Sequence, residues 1–545
     1  MTVTVGSLAV TAAGEVKLLD SSSTPAQLEA AKELPVKAMD LNAAAVGADG
    51  LFAAVPGTRA HGARYASQSQ AVAILTDAQG VELLREAGET RPVIEVADVR
   101  TVMGPVASEI YGHPSRELTV IGVTGTSGKT TTTYMLESAL IGAGKHTGII
   151  GTTGTRINGR KVPSSLTTPE APSLQRLFRE MLDDGVTHVA MEVSSHALSL
   201  GRVSGVDFDV TCFLNLSQDH LDFHNTLEEY FDAKAVLFQA DSPLHAPQAV
   251  ICINDDAGRK MAGVAAEAED ATVTTVATNA DAVQTGAEAG AGLPGIAASW
   301  QLESVSVADN GVQEATLDYH ADTKRQVTLD IPLPGAFNVA NAAVAWAALV
   351  AAGVESDGAR QGLAKVSVPG RMQRIDRCQD FLAVVDYAHK PAAVAEVLAT
   401  VRNQASGKLI VVVGAGGDRD ATKRPLMGAE AVRGAEVVII TDDNPRSEDP
   451  AKIREAVAEG AYDEAKKLEA AEGKQTQIEV IGDRGEAIRK AISYAETGDV
   501  VVVAGKGHET GQDVGGVIHH FDDREEVANA LEARNSAQNA GGSDK

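Results

Sequence analysis

Gly125-Thr126-Ser127-Gly128-Lys129-Thr130-Thr131 puts two glycines, four hydroxyls and a lysine directly after the apolar run from Leu118 to Val123. That run predicts a strand, and the residues after the loop predict a helix. Glycines let the backbone turn tightly and aim N–H groups inward, and a helix N-terminus adds positive potential, so such a loop can hold an anion. Lys129 can neutralise β- and γ-phosphate charge, and Thr130 can hold a Mg²⁺ ion. The first glycine of the usual eight-residue phosphate-loop pattern falls at Val123, so the match is to a shortened form. The bland alternative is an ordinary Gly-rich turn between strand and helix. A carboxylate ending a neighbouring apolar strand supports the phosphate reading, because Mg²⁺ prefers oxygen ligands. Val189-Ala190-Met191-Glu192 supplies one. Taken alone, an acidic residue in that place is more often a helix cap.

Apolar strands alternating with helical stretches must position these groups. Strand-like runs occur at Leu51 to Val55, Ala71 to Leu75, His188 to Val193, Val210 to Leu216 and Ala249 to Asn254. A second series begins near Val368-Pro369-Gly370, with strands at Leu382 to Val385, Leu409 to Val413, Glu436 to Ile440, Ile478 to Ile481 and Val500 to Val503. The alternation predicts parallel sheets covered on both faces. Tyr111-Gly112-His113-Pro114 reads as a linker. The stretch from Met261 to Ala298, rich in Ala, Gly, Thr and Glu, reads as a helix, a strand and a loop insertion.

A chain of 545 residues predicts three or four domains at roughly 100–200 residues each. It carries 47 Lys and Arg against 74 Asp and Glu, a formal charge of −27, which repels phosphate backbones and argues against nucleic acid as a partner. A local basic pocket can still take a small anion. The 3 cysteines are far apart and predict neither a disulfide framework nor a zinc site. The N-terminal MTVTVGSLAV is a poor signal peptide, and no apolar run approaches the roughly 18 residues of a membrane span. A cytoplasmic protein without membrane insertion is expected.

The phosphate loop is followed by Glu192-Val193-Ser194-Ser195-His196, Asn215-Leu216-Ser217-Gln218-Asp219-His220-Leu221-Asp222-Phe223-His224, Asn338-Val339-Ala340-Asn341-Ala342-Ala343, Pro369-Gly370-Arg371-Met372 and Asp386-Tyr387-Ala388-His389. In this order and spacing the set resembles the Mur ligase family, which builds the peptide stem of peptidoglycan. Asp443-Asn444-Pro445-Arg446 and Gly505-Lys506-Gly507-His508-Glu509, each just after an apolar strand, resemble the members that add the third residue. The Asp-Asn-Pro-Arg form accompanies meso-diaminopimelate there. Arg offers a planar fork for the carboxylate that lysine lacks, and Glu509 can hold the distal ammonium. The bland reading of residues 443–446 is a Pro-containing turn that closes the strand.

The resemblance implies an α/β chain of three domains. These are an N-terminal α/β domain binding UDP-muramoyl groups (1–113), a central P-loop ATPase-type parallel-sheet domain (114–367) and a C-terminal Rossmann-like domain binding the amino acid (368–535). A disordered tail (536–545) follows, and the chain is expected to be monomeric. The implied reaction moves the γ-phosphate of ATP to the D-glutamate carboxylate of UDP-MurNAc-L-Ala-D-Glu, and the amine of meso-diaminopimelate then displaces phosphate. ATP contacts are implied for Gly125, Thr126, Ser127, Gly128, Lys129, Thr130, Thr131, Asn341, Arg371 and Asp386. Two Mg²⁺ ions are implied, with Thr130, Glu192, His220 and a carbamate on Lys234 as ligands. Helix pattern alone makes Lys234 a solvated residue, so its role rests on resemblance. Catalysis is implied for Lys129, Glu192, His220 and Lys234. Dipeptide contacts fall on Thr167, Thr168, Ser194 and Arg202, and diaminopimelate contacts on Arg419, Asp443, Asn444, Pro445, Arg446, Gly505 and Glu509. The chain departs from many relatives at Asp40-Leu41-Asn42, Leu200 and Lys390.

Three rivals compete. A lysine-adding ligase or a folylpolyglutamate-synthetase-like ligase shares the phosphate loop, and the latter should lack the paired motifs at 443–446 and 505–509. A dinucleotide-binding oxidoreductase is suggested by Val413-Gly414-Ala415-Gly416-Gly417, although Asp418 to Pro425 is a poor helix opening. The third is a non-catalytic nucleotide-binding scaffold.

Overall fold

The computed structural model describes residues 2–541 apart from 58, 165, 220–222, 280–295, 309–310, 322–324 and 403–404. The chain forms two compact units. The first comprises Met1–Ser306, Glu314–Asp330 and Val339–Val366, and the second Val307–Gln313, Ile331–Asn338 and Ser367–Lys545.

The first unit opens with a five-stranded sheet of β1 (Glu15–Lys17), β2 (Ala38–Asp40), β3 (Gly50–Ala53), β4 (Ala73–Thr76) and β5 (Val93–Glu95), in the order β1-β5-β4-β3-β2. β2 to β5 pair in parallel and β1 runs antiparallel to β5. Both faces are covered, which is why these strands are continuous apolar runs. Leu51, Ala53 and Leu75 pack into one core, and Phe52, Ala54 and Ile74 into another.

The next sheet has eleven strands among the described residues: β6 (Thr119–Thr124), β7 (Thr147–Gly151), β8 (Gly154–Ile157), β9 (Arg160–Val162), β10 (His188–Glu192), β11 (Val210–Phe213), β12 (Gln248–Cys252), β13 (Thr272–Ala277), β14 (Ile296–Val307), β15 (Gln313–His320) and β16 (Arg325–Ile331). Their order is β16-β15-β14-β13-β12-β11-β6-β10-β7-β8-β9. The pairs from β7 through β14 are parallel, and β8 and β9 fold back antiparallel on the β7 edge. β6 sits between β10 and β11, where the chain order reverses. Open α/β sheets bind ligands beyond the carboxyl ends of their strands at such a switch point.

The second unit holds β17 (Gln373–Arg374), β18 (Leu382–Asp386), β19 (Leu409–Val413), β20 (Val437–Ile440), β21 (Gln477–Val480) and β22 (Val500–Ala504), in the order β17-β18-β22-β19-β20-β21. All pairs are parallel except β17 with β18. Val411 and Val413 face one core, and Ile410 and Val412 the other. A hairpin of β23 (Gly511–Val514) and β24 (Val517–His520) follows β22. The three sheets, each with its own cores, are the three-domain α/β architecture expected.

One expectation changes. Residues 536–541, expected in a disordered tail, continue the helix Asp523–Gly541. Extending a formed helix costs little per residue, and Ala and Gln favour it. The stretch from Met261 to Ala298 contains the end of the helix Asp256–Ala265, then β13 and the start of β14, while 280–295 lie outside the described residues. Among the described residues no helix is long and apolar enough to cross a membrane.

Candidate active site

The phosphate loop leaves the end of β6 at the switch point. Gly125 has φ +153° and Gly128 φ +86°, backbone that side chains disfavour. A Cβ on Gly128 would lie 2.4 Å from Asn341 Oδ1, so Asn341 packs against the loop's last glycine. The neighbouring strand end braces the loop: Ser127 N–H donates to Asn215 Oδ1 at 3.0 Å, and Thr126 N–H to Asn215 O at 3.0 Å. Thr126 Oγ1 donates to Ser217 O at 3.2 Å. The helix Lys129–Gly142 then starts, with Thr130 and Thr131 buried in its first turn. Lys129 Nζ donates to Gly125 O at 2.8 Å and Thr126 O at 2.9 Å, so its ammonium lies across the loop.

Glu192, buried at the end of β10, faces this loop. Its Oε1 accepts from Thr130 Oγ1 and from Thr152 N–H, both at 2.8 Å, and its Oε2 accepts from Thr152 Oγ1 at 3.0 Å. A Cβ on Gly151 would lie 2.3 Å from Glu192 Oε1, so the end of β7 must be glycine to admit the carboxylate.

Lys234, read from helix pattern as solvated, is buried on the helix Leu227–Ala235. Its Nζ donates to Gly125 O at 3.0 Å and sits 4.5 Å from the centre of the Tyr230 ring. Burial, reinforced by the Lys129 charge and opposed by Asp219, pushes the Lys234 amine well below the ordinary lysine range. His220 lies outside the described residues. Among those described, no group of three or more His, Cys, Asp or Glu forms a metal cluster. Mg²⁺ is commonly held by one or two carboxylates plus substrate phosphates, which suits the Thr130–Glu192 pair.

The residues matched to the dipeptide gather around the same strand end. Thr167 Oγ1 lies 3.2 Å from Thr152 Oγ1. Thr168 is wholly buried; its hydroxyl donates to Glu192 O at 2.9 Å and accepts from Ser194 N–H at 3.3 Å. Ser194 caps the short helix Ser195–Ser199. Arg202 pairs with Glu170 at 2.9 Å.

The second unit places its motifs beyond the carboxyl ends of β18, β19, β20 and β22. Asp386 is buried; its oxygens accept from Met372 N–H at 2.7 Å and Ala388 N–H at 2.8 Å. Burial raises its carboxyl above the usual range, and nearby Arg371 acts against that. The Arg371 guanidinium lies 4.5 Å from the centre of the Tyr387 ring, and its buried Nε has no hydrogen-bond partner among the described residues.

Asn444 Nδ2 donates to Glu509 Oε2 at 2.8 Å, joining residues 443–446 to residues 505–509. Buried Lys506 donates to Asn444 Oδ1 at 3.0 Å and lies 3.4 Å from Glu509 Oε2. Arg446 Nη1 donates to Gly417 O at 2.6 Å. Asp418 accepts from Ser447 N–H at 3.0 Å, drawing the loop that carries exposed Arg419 beside Arg446. The glycines at 414–417 therefore make room for the neighbouring loop. A Cβ on Gly417 would lie 1.9 Å from Pro445 O, and the next helix begins only at Lys423. This geometry opposes the dinucleotide reading.

Residues 123–349 match the Mur ligase middle domain, and residues 370–507 match the Mur ligase glutamate ligase domain. A UDP-N-acetylmuramoyl-L-alanyl-D-glutamate--2,6-diaminopimelate ligase of Corynebacterium glutamicum is 55% identical over 518 residues, 94% of this chain and 95% of that one. The chain belongs to the Mur ligase family. The Corynebacterium efficiens protein of the same name is 54% identical over 97% of this chain and 95% of its own. A solved structure titled as such a ligase superposes with a TM-score of 0.67 at 30% identity, covering 98% of this chain and 100% of that one.

Within this Mur ligase, motif reading overlooked several supporting residues. Gly151 and Thr152 seat Glu192, Glu170 pairs with Arg202, and Lys506 joins Asn444 to Glu509. Lys506 lies inside a quoted motif and could have been singled out as a charge in an apolar setting. The other three carry no such signal, because their roles appear only when distant strands meet.

Proposed function

We propose that this Mur ligase joins meso-diaminopimelate to the D-glutamate carboxylate of UDP-MurNAc-L-Ala-D-Glu at the expense of ATP, in the cytoplasm. The observation that carries the choice of amino acid is the Asn444–Glu509 hydrogen bond of 2.8 Å, which joins the loop of residues 443–446, carrying Arg446, to the loop of residues 505–509. Its relatives' names point the same way.

A carboxylate is a poor acyl donor. One of its oxygens attacks the γ-phosphorus of ATP, the bond to the β-phosphate oxygen breaks, and ADP leaves an acyl phosphate. The amine of diaminopimelate then attacks the acyl carbon, gives up a proton, and inorganic phosphate departs with the original carboxylate oxygen. Carboxylate and phosphates are all anionic, so the enzyme's main work is to neutralise and align them.

Lys129 and the loop N–H groups bind the β- and γ-phosphates. Thr130 and Glu192 present hard oxygens 2.8 Å apart in a buried setting, a donor set that fits Mg²⁺. Bound there, Mg²⁺ would add positive charge along the phosphate oxygens. Lys234, its amine lowered by burial well below the ordinary lysine range, fits carbamylation by CO₂, and the resulting anion would sit near the Lys129 cation as a further oxygen donor. Arg371, whose buried Nε has no hydrogen-bond partner among the described residues, Asn341, against Gly128, and Asp386 are assigned to ATP with the phosphate loop. Arg202, Thr167, Thr168 and Ser194 are assigned to the dipeptide.

The distal end of diaminopimelate carries a carboxylate and an ammonium. Arg446 and Arg419 take the carboxylate, and Glu509 takes the ammonium. Lysine has no distal carboxylate and leaves the guanidinium unpaired in a partly dry pocket. A site built for a polar group rejects the analogue that lacks it strongly. In a coupled assay of ADP release, kcat/KM for meso-diaminopimelate should exceed that for lysine by about 10³-fold or more. Equal rates, or a preference for lysine, would overturn the assignment.

A further inference from the structure

The two loops of the amino-acid pocket hang on strands that share no ladder. β19 lies between β20 and β22, so backbone pairing does not set the loop at Asp443 directly against the loop at Gly505. Asn444 bonds Glu509 and Lys506 at the loops themselves, and a further side chain spans the gap at the strand ends beneath them. Arg484 starts the helix Arg484–Tyr494 and is fully buried. Its Nη1 donates to Asp442 O at 3.3 Å, and its Nη2 to Ala504 O at 2.9 Å. Those carbonyls belong to the residues immediately before Asp443 and Gly505.

Asp523, also fully buried, holds the guanidinium from behind. Its Oδ1 accepts from Arg484 Nε and its Oδ2 from Nη2, each at 2.7 Å. Burial works against the Arg484 charge, yet Asp523, with Asp443 and Glu509 beyond it, holds the proton above the ordinary arginine value. Taking two charges out of water is expensive, and an apolar pair of similar volume is often as stable. A buried pair kept at that cost is better explained by the geometry it specifies, and here that geometry is the spacing of two ligand loops. The tolerance is tight: a Cβ on Gly505 would lie 2.5 Å from Asp443 Oδ2 and 3.7 Å from Arg484 Nη2.

We propose that Arg484, fixed by Asp523, is a positioning residue for the amino-acid substrate. It sets the Asp443–Arg446 loop against the Gly505–Glu509 loop and so controls binding of the diacid's distal end. This rests on the reading of that pocket as the diaminopimelate site.

The test uses the full chain as wild type, Asp523→Asn and Arg484→Lys. Asp523→Asn keeps the shape and removes the charge; Arg484→Lys keeps the charge and removes the fork. KM is measured for meso-diaminopimelate, ATP and the UDP-linked dipeptide, together with kcat and the melting temperature. The expected result is a rise in KM for diaminopimelate of about tenfold or more in both variants, since small misplacements of ligand groups carry such costs. The KM values for ATP and dipeptide should stay near wild type. A merely structural pair would instead lower the melting temperature and the active fraction, hence kcat, with KM for diaminopimelate unchanged. That result, or failure of both variants to fold, would overturn the proposal. Wild-type protein that ignores diaminopimelate would instead sink the pocket reading itself, and this inference with it.

Discussion

Lys129→Ala is expected to lower kcat for ADP release by about 10³-fold, roughly 4 kcal/mol of transition-state stabilisation. The ammonium is the one side-chain cation in the phosphate loop, and its two carbonyl partners, Gly125 and Thr126, already place it over the loop. As the γ-phosphate moves towards the carboxylate, negative charge spreads over its oxygens, and a fixed cation stabilises that arrangement most. If Lys129 were only a brace for the loop, its loss would raise KM for ATP and spare kcat. The Lys129 charge also adds to burial in lowering the Lys234 amine from the ordinary lysine range. The side chain is only partly buried, so the melting temperature should change little.

Arg446→Ala should raise KM for meso-diaminopimelate by about 2–5 kcal/mol, some thirtyfold to several thousandfold. KM for ATP and for the dipeptide should not move. Arg446 has φ +52°, a conformation that costs a non-glycine residue about 1 kcal/mol. Surrounding structure enforces it: Arg446 N–H donates to Asp513 O at 2.9 Å, and Arg446 O accepts from Gly515 N–H at 2.7 Å. The hairpin of β23 and β24 thus holds the guanidinium in place before substrate arrives. Among the described residues only Nη1 is committed, to Gly417 O, which leaves the rest of the fork for a carboxylate. Arg446→Lys should recover little, because an ammonium cannot reproduce the paired bonds. With lysine as substrate the substitution should matter far less. An unchanged KM for diaminopimelate in Arg446→Ala would contradict the assigned role.

The strands β6, β10, β20 and β22, which end at Thr124, Glu192, Ile440 and Ala504, were legible because buried parallel strands are continuous apolar runs, and ligand loops follow their carboxyl ends. The hairpin after Glu509 was not, since its sequence, Gly511 to His520, is largely polar and its order comes from bonds to residues 444 and 446. Lys234 shows the limit of pattern reading. A lysine on a short amphipathic helix looks solvated, and only the packing of that helix under the phosphate loop buries it. Arg484 and Asp523 fall in the same class. Each begins a helix, where charged residues are ordinary, and nothing local reveals that the two meet in a core. The long strand β14 was missed because an Ala- and Gly-rich sequence precedes it and alternation begins only near Trp300.

Transfer of ATP's terminal phosphoryl group to a substrate carboxylate oxygen is the step on which every assigned role depends. The most direct measurement supplies UDP-MurNAc-L-Ala-D-Glu with ¹⁸O in the reacting carboxylate and follows the label by mass spectrometry of released phosphate. The prediction is one labelled oxygen in each phosphate formed, appearing only when diaminopimelate, ATP and Mg²⁺ are all present. Phosphate that carries no label while the amide forms would contradict it.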